Sequence, residues 1–195
     1  MARTAGRDAA DTRRLIVDAA ARLIVRRGTT VPVSDVADAA GVSKGGLLYH
    51  FPNKEALLVG VATDLIARFR KDVEHAAAAE DGDDPGRLAR AYIRVSFADA
   101  GDATGLRDYI ALAAHLMFEP ELEELTQRDA ERWRTELHAD GLAPAVVRMV
   151  VAAADGSSSG PLWGAVLTDS DRTQLEEDLI ALTYRGDPPA AATDS

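Results

Sequence analysis

The most constraining feature of the sequence lies between Ser34 and Pro52, where two short segments with helical apolar spacing flank a tight turn. The first segment, "SDVADAAG", places Val36, Ala37 and Ala40 on one side and ends at a glycine, which commonly terminates helices. The second segment, "KGGLLYHF", follows the turn "GVS" and stops before the proline. Two short helices joined by a turn that contains glycine are typical of a helix-turn-helix unit.

The rest of the chain also has helical spacing. Apolar residues recur every four positions in "TRRLIVDAAARLIVRRG", where Asp11 or Thr12 is the expected cap and Gly28 the expected end. Asn53 is the expected cap of a long fourth helix, and further helical segments follow between turns rich in glycine, proline and aspartate. With no strand-like alternation, the predicted fold class is all-α with about nine helices: an N-terminal three-helix helix-turn-helix domain and a larger helical domain.

We expect three regions along the chain. Residues 1–53 form an N-terminal arm and the helix-turn-helix domain, and residues 54–185 form the larger helical domain. Residues 186–195 are predicted to be a disordered tail, because "DPPAAATDS" is polar and contains no aromatic residue.

Charge is distributed unevenly between these regions. The chain carries a formal net charge of −10, yet residues 1–54 hold nine Lys/Arg and five acids, a balance of +4 that leaves −14 for the remainder. Such an asymmetry indicates a small basic head that contacts an anionic partner, carried on an acidic body. Chance segregation of charge is the alternative.

Composition and motifs exclude several classes of protein. The chain has no cysteine, so disulfides and thiolate chemistry are excluded. The N-terminal "MARTAGRDAADTRR" lacks the apolar stretch of a signal peptide, and no apolar run approaches the ~20 residues of a membrane span. A cytoplasmic protein is therefore expected. His75, His115 and His138 lack metal-ligand spacing, and no nucleophile, P-loop or dinucleotide motif occurs. We expect no metal, no cofactor and no enzyme activity.

The second helix of a helix-turn-helix enters the major groove of DNA with its N-terminal residues. Leu47 and Phe51, four apart, should face inward. Each glycine in the first turn costs a helix about 1 kcal/mol relative to alanine, so a bare backbone near phosphate is the expected reason for the pair. The predicted DNA-binding residues are Ser34, Ser43, Lys44, Gly45, Gly46, Leu48, Tyr49, His50 and Lys54.

The motifs "AARLIVRRG" and "VSDVADAAGVSKGGLLYHFPNKEALL", over roughly residues 12–58, resemble the N-terminal domain of TetR-family bacterial transcriptional repressors. The resemblance implies an all-helical homodimer in which the first three helices bind DNA. The remaining helices would bind a small molecule, and the last two would form the dimer. The DNA-contacting positions of the family fall on Lys44, Gly45, Tyr49, His50 and Lys54.

The chain departs from the family pattern at three places. Pro32 stands where the family often has Ser or Thr, so capping and phosphate contact are expected to pass to Ser34. Leu48 stands where the family often has an aromatic residue, and Gly46 replaces a residue that is commonly polar. This helix therefore offers fewer hydrogen bonds and more apolar contact, for which thymine methyl groups are the available partners.

The candidate ligand pocket comprises residues that could line an apolar cavity with a few polar groups. These are Tyr92, Tyr109, His115, Met117, Trp133 and Met149. His115 stands out in "ALAAHLMF" because nothing in its own helical stripe would satisfy its ring nitrogens. Plain core packing is the alternative for each of these residues.

The candidate dimer interface consists of apolar residues on the eighth and ninth predicted helices. These are Val147, Val150, Ala154, Leu175, Leu179 and Leu182. Packing of the same stripe into the chain's own core is the alternative.

The sequence thus predicts a ligand-responsive, homodimeric repressor that binds a palindromic operator in double-stranded DNA and is released by an unknown small molecule. Two alternatives remain open. One is a DNA binder without an effector, and the other is a helical carrier or enzyme that has kept the fold but not specific DNA binding.

Overall fold

The computed structural model describes residues 8–80, 82, 84–98, 103–159 and 166–185, without the side chains of 103–107, 109 and 159. The predicted tail, 186–195, and the arm before residue 8 lie outside this part. The described residues form nine α-helices and no strand, which confirms the all-α prediction. The helices are α1 (Ala9–Arg27), α2 (Val33–Ala40), α3 (Lys44–His50), α4 (Lys54–Ala78), α5 (Arg87–Phe97), α6 (Ala103–Leu116), α7 (Glu123–Ala139), α8 (Pro144–Ser159) and α9 (Asp169–Arg185).

Helix α1 begins earlier than its sequence suggests. Asp8 is the N-cap, and its carboxylate accepts a hydrogen bond from the Ala10 N–H at 3.4 Å. The expected caps Asp11 and Thr12 are wrong because both residues lie inside the helix, where the Thr12 hydroxyl donates to the Asp8 carbonyl. The predicted end is confirmed, since Gly28 adopts a φ of 72° directly after the helix.

Helix α2 begins without a side-chain cap. Pro32 occupies the N-cap position, and its carbonyl accepts hydrogen bonds from the N–H groups of Asp35 and Val36. The expectation that Ser34 takes over capping is wrong, because Ser34 is already inside the helix and its Oγ lies 3.4 Å from an Asp35 carboxylate oxygen. Gly41 ends the helix in the left-handed conformation, as predicted.

The next two helices both have side-chain caps, and that of α4 is the one predicted. Ser43 caps α3, with its Oγ accepting from the Gly46 N–H at 3.0 Å. Asn53 caps α4, with its Oδ1 accepting from the Ala56 N–H at 2.7 Å. Pro120 opens a 3₁₀ turn, and α7 begins directly after that turn at Glu123.

The described residues fall into two compact units. The first comprises those up to Arg68 together with Asp108–Arg128. Its core joins the apolar stripes of α1, α2 and α3 to three leucines much later in the chain, Leu112, Leu116 and Leu122. Residues near the end of α6 therefore pack with the helix-turn-helix, a long-range association that the sequence pattern did not reveal. The division expected after residue 53 remains a prediction.

The second unit comprises Phe69–Arg107 and the described residues from Asp129 onward. Helix α5 contacts both α8 and α9, and Ile93 of α5 is fully buried. Arg90, also of α5, is 2 % exposed and pairs with Glu80 at 2.9 Å. No helix in the described part of the chain is both long enough and apolar enough to cross a bilayer.

Four residues predicted at the dimer interface lie in this core instead. The exposed fractions are 4 % for Val147, 0 % for Val150 and Ala154, and 6 % for Leu179 within a single chain. They are therefore unavailable to a second copy, and their assignment to the interface is wrong. An apolar stripe has the same spacing whether it faces its own core or a partner. Leu175 and Leu182 are half-buried and remain predictions.

Candidate nucleic-acid interface

Helix α3 has one buried side and one free side. Leu47 is fully buried and Phe51, directly after the helix, is 2 % exposed, so both anchor it to the first unit's core as predicted. Tyr49 is 83 % exposed and Leu48 is 37 % exposed. At 3.6 residues per turn, Gly45 and Tyr49 lie opposite Leu47. The free side therefore presents a glycine in the first turn and large side chains in the second.

The polar groups available beside this free side are few. Lys44 is exposed, and the Tyr49 and His50 rings meet edge to face at 5.2 Å between centroids. Ser43 is exposed, but its Oγ already caps the helix. Lys54 is half-buried at the first position of α4.

The structure thus places most of the predicted DNA-binding residues along one short helix and its flanks. Ser34 is exposed on α2, at the second position of that helix. The helix-turn-helix packing brings α2 and α3 into contact, and α1 contacts both. Contact with DNA remains a prediction for each of these residues.

Neither the backbone conformation nor the packing within the chain fully explains the pair Gly45 and Gly46. Neither Gly45 nor Gly46 adopts a positive φ. A Cβ on Gly45 would meet Ser43 Oγ at 4.0 Å, an ordinary contact. A Cβ on Gly46 would lie 3.2 Å from the same oxygen, so this glycine does leave room for the cap. At Gly45, packing within the chain would tolerate a side chain and therefore does not require glycine.

Gly60 of α4 is the opposite case, and sequence reasoning missed it. A Cβ there would lie 2.5 Å from Cε1 of Phe51, which is closer than real contacts allow. The aromatic ring that ends α3 therefore rests on the bare backbone of α4. The signal in the sequence was a glycine in the middle of the helical run "LLVGVATD".

Further contacts hold α1 against its neighbours. The Arg27 guanidinium donates to the Asp35 carboxylate at 2.7 Å, which links the end of α1 to α2. The guanidinium of Arg13 lies 4.9 Å from the centre of the Phe51 ring. Both contacts are partly solvent-exposed, so they orient the helices more than they stabilise them.

Among the predicted pocket residues, Tyr92 and Trp133 meet in the second unit. Their rings pack edge to face at 5.2 Å, and Phe69 completes a cluster of three aromatic rings. The Tyr92 hydroxyl donates to a carboxylate oxygen of Asp155 at 2.7 Å. Met149 is half-buried on α8.

The other predicted pocket residues are placed differently. His115 is exposed and Met117 is 66 % exposed, and both belong to the first unit. The expectation that His115 sits unsatisfied on a buried apolar face is wrong, because Leu112 and Leu116 supply the buried face of that helix. The side chain of Tyr109 lies outside the described residues.

A cleft of about 410 Å³ lies elsewhere in the second unit. It is lined by Asp84, Pro85, Gly141, Leu142, Ala143, Thr183 and Tyr184. None of the predicted pocket residues is among them. In the part of the chain that the structure describes, no group of three or more His, Asp or Glu side chains could hold a metal ion.

Two family models match the chain. The model of the bacterial regulatory proteins of the tetR family matches residues 16–61, which contain α2, α3 and most of α1. The model of the tetracyclin repressor-like C-terminal domain matches residues 86–184, about half of the chain.

Individual relatives agree with these models. The HTH-type transcriptional regulator BetI of Rhizobium meliloti is 33% identical over 127 residues, which cover 64% of this chain and 62% of BetI. The chain therefore spans less than two thirds of that curated relative.

Two solved structures superimpose over most of the chain. One is the multidrug binding protein EbrR complexed with imidazole, with a TM-score of 0.63, 27% identity and 93% coverage of both chains. The other is a TetR-family member from Streptomyces coelicolor, with a TM-score of 0.67, 27% identity, and coverage of 89% of this chain and 98% of that one.

The helix-turn-helix geometry and the two model matches lead to the same classification. The relatives are transcriptional regulators and not enzymes. The chain belongs to the TetR family of bacterial regulatory proteins.

Proposed function

We propose that the protein is a homodimeric repressor that binds a palindromic operator and leaves it when a small molecule binds. The helix-turn-helix units, called reading heads below, bind the DNA. The remaining helices carry the effector and dimer contacts. The two regions correspond to residues 1–53 and 54–185, and the protein works in the cytoplasm.

The observation that carries the proposal is the free side of α3. Gly45 has neither a packing reason nor a positive φ to be glycine. A helix N-terminus presents unpaired N–H groups and a positive dipole end, which suit phosphate. A bare backbone there allows the closest approach to DNA. Lys44 and Lys54, at the first positions of α3 and α4, supply positive charge.

Electrostatics favour contact through this head. Residues 1–54 carry a balance of +4, whereas the remainder carries −14. An acidic body is repelled by DNA, so approach through the basic heads is favoured. We assign DNA contact to Ser34, Ser43, Lys44, Gly45, Gly46, Leu48, Tyr49, His50 and Lys54.

The effector contacts belong to the second unit in this proposal. The aromatic cluster of Phe69, Tyr92 and Trp133 offers ring edges and faces, with the Tyr92–Asp155 hydrogen bond as a polar element. Support comes from the likeness to EbrR, which is described as a multidrug binding protein. An effector acts by binding the DNA-competent and DNA-incompetent states with different affinities.

In this proposal, dimerisation uses two residues of α9 that are only half-buried in the core of the second unit, Leu175 and Leu182. One helix-turn-helix covers only one half-site, whereas two covering half-sites about one helical turn apart read a near-palindrome.

The test is selection of binding sites from a random DNA pool by the full chain, at near-physiological salt and with non-specific competitor. Salt and competitor suppress binding that depends on phosphate charge alone. We expect enrichment of a palindrome with half-sites about one turn apart. Enrichment of a single unrepeated site would contradict the dimer. If no sequence is enriched, the free protein is not a specific repressor.

The matched control is Lys44→Glu. This substitution reverses one charge on an exposed residue and should leave the fold intact. We expect it to abolish enrichment. Unchanged enrichment would favour a DNA contact elsewhere in the chain.

A further inference from the structure

Three arginines of the second unit are buried in the part of the chain that the structure describes, and they differ in their partners. Arg70 pairs with two carboxylates, and Arg90 pairs with Glu80. Arg172 of α9 is 8 % exposed, yet it forms no ion pair with any carboxylate of the described residues. Its positive charge is therefore buried without a negative partner.

The contacts of Arg172 leave part of its guanidinium unused. Nη1 donates to the carbonyl of Ser157 at 2.7 Å, and the guanidinium carbon lies 5.7 Å from the centre of the Phe97 ring. Nη2 is buried and has no hydrogen-bond partner. The hydroxyl of Ser157, a residue that is 6 % exposed, also has none. Two orphaned polar groups thus belong to residues that are already joined by a hydrogen bond.

These two groups share one missing partner, an anion. A carbonyl oxygen and a ring face carry only partial negative charge, so they do not neutralise a guanidinium. A buried charge without a counter-charge is costly to the fold. A carboxylate could accept hydrogen bonds from both Nη2 and the Ser157 hydroxyl, and it would also supply the missing negative charge. A neutral amide could accept the same bonds but would leave the charge unpaired.

The orphaned pair lies close to the aromatic cluster of Phe69, Tyr92 and Trp133. Helices α5 and α8 are joined by the Tyr92–Asp155 hydrogen bond and, about one turn further along, by a contact of 3.5 Å from the Ser158 hydroxyl to the Ser96 carbonyl. The Ser158 hydroxyl also bonds within α8 at 3.0 Å, so the longer contact can open at little cost. A path between α5 and α8 would connect the cluster with the residue next to Ser158.

We propose that Arg172 and Ser157 bind the carboxylate of a small apolar acid, whose hydrocarbon or aromatic part lies along the aromatic cluster. The inference rests on the proposed function, since it names the chemical class of the effector. Inorganic phosphate is the other oxyanion that an arginine favours, but it has no apolar part to place on the aromatic rings.

The experiment is calorimetric titration of the full chain at near-neutral pH, without DNA. The probes are straight-chain carboxylates from acetate to decanoate and 3-phenylpropionate, each compared with its amide, and inorganic phosphate. We expect the longer carboxylates and 3-phenylpropionate to bind at least about tenfold more tightly than their amides, because the amides lack the charge. Acetate and phosphate should bind weakly. Phosphate that binds as tightly as the best carboxylate would contradict an apolar acid.

Two variants identify the residues responsible. Arg172→Met should bind each carboxylate no better than its amide, and Ser157→Ala should weaken carboxylate binding several-fold. Arg134→Met is the matched control, because it removes the same charge from a side chain on α7 that is 61 % exposed, and it should bind as wild type does. Urea unfolding of the free proteins is a further readout. Arg172→Met should be at least as stable as wild type, since it removes an unpaired buried charge.

The outcomes separate this inference from the proposed function. Carboxylates that bind wild type and Arg172→Met equally overturn the site, as does a series in which none binds. If Arg172→Met is not folded, unchanged carboxylate binding by Ser157→Ala overturns it instead. These results leave a dimeric operator-binding protein standing, because no DNA is present. Carboxylates that bind through Arg172 but do not release the selected operator uphold the site and contradict the release by an effector.

Discussion

Gly45 and Gly60 are both helical glycines with ordinary backbone angles, yet their surroundings differ. A Cβ on Gly45 has space, whereas a Cβ on Gly60 would lie 2.5 Å from Cε1 of Phe51. The second glycine therefore serves internal packing, whereas the first is free to serve the DNA contact that we propose. Substitution by alanine should separate the two roles.

Gly45→Ala should stabilise the folded protein by about 0.5–1 kcal/mol, because alanine is the better helix former and restricts the unfolded chain. It should also weaken operator binding, because the added methyl group separates the backbone from phosphate. Urea unfolding and anisotropy titration measure the two effects. A variant that is more stable and binds equally well would refute close backbone approach at this position.

Gly60→Ala is the matched control and should destabilise the protein by about 1–3 kcal/mol, because the ring of Phe51 is buried and cannot move freely. Its m-value in urea should stay unchanged if only stability is affected. Wild-type stability in this variant would show that the Phe51 ring can move aside.

Single residues also mark the limit of sequence reasoning. Ser43 and Asn53 were predictable as caps because their partners lie three residues away. The exposure of His115 was not predictable, because it depends on which side of α6 meets a core built from residues far away in the sequence. A helix cap depends on residues close to it in the sequence, whereas the burial of a side chain depends on packing against residues far away in the sequence.

At the scale of helices, α4 and α7 are joined by a buried arginine. The side chain of Arg70 is 8 % exposed and donates to Asp129 at 2.5 Å and to Glu136 at 2.8 Å. Its guanidinium also lies 4.1 Å from the centre of the Trp133 ring. Arg132 contacts the other oxygen of Glu136 at 2.7 Å but is 58 % exposed. Two arginines thus share one glutamate from different environments.

Arg70→Met should destabilise the protein by about 3 kcal/mol, because it leaves two carboxylates without their buried partner. Arg132→Met should cost much less than Arg70→Met, because an exposed ion pair contributes little. Urea unfolding at neutral pH compares the variants. Equal losses of unfolding free energy in the two variants would mean that burial does not increase the contribution of Arg70 to stability.

The same contact predicts a pH dependence. Burial raises the pKa of Glu136, but hydrogen bonds from Arg132 and Arg70 and their charges outweigh burial and hold the pKa below the usual range of glutamate. A lowered pKa in the folded state means that the ionised carboxylate stabilises the fold above the ordinary glutamate pKa. This stabilisation is lost as the pH falls through the lowered value.

The stability difference between wild type and Arg70→Met should therefore shrink as the pH falls below the ordinary glutamate pKa. Unfolding measured at several acidic pH values tests this expectation. A difference that stays constant would show that packing on Trp133, rather than charge, accounts for the contribution of Arg70.

The helices themselves were largely predictable, but their partners were not. Apolar spacing, glycines and prolines indicated an all-helical chain and the ends of its first helices. The stripe on α8 gave no sign that Val150 and Ala154 would meet their own core. An apolar stripe indicates that one side of a helix is covered, but it does not show whether the chain's own core or a partner covers it.

At the scale of the whole molecule, the proposed dimer fixes the distance between two reading heads. B-DNA repeats every 10–10.5 base pairs, so two heads on one face fit half-sites about one turn apart. Insertion of about five base pairs between the half-sites turns one of them to the opposite face of the duplex. We expect affinity to fall by about a hundredfold or more, to the level of an operator with one half-site destroyed.

The single-half-site operator is the matched control, and both DNAs are measured with the same protein by anisotropy at near-physiological salt. Loss of one head also removes its phosphate contacts, so the slope of log Kd against log salt should become shallower by the same amount for both. An insertion of about ten base pairs restores the face but lengthens the separation by one turn, and it should not restore affinity if the heads are held at a fixed distance. Unaltered binding to the five-base-pair insertion would mean that the heads bind independently, and the repressor would then be a monomer on DNA or a dimer with freely moving heads.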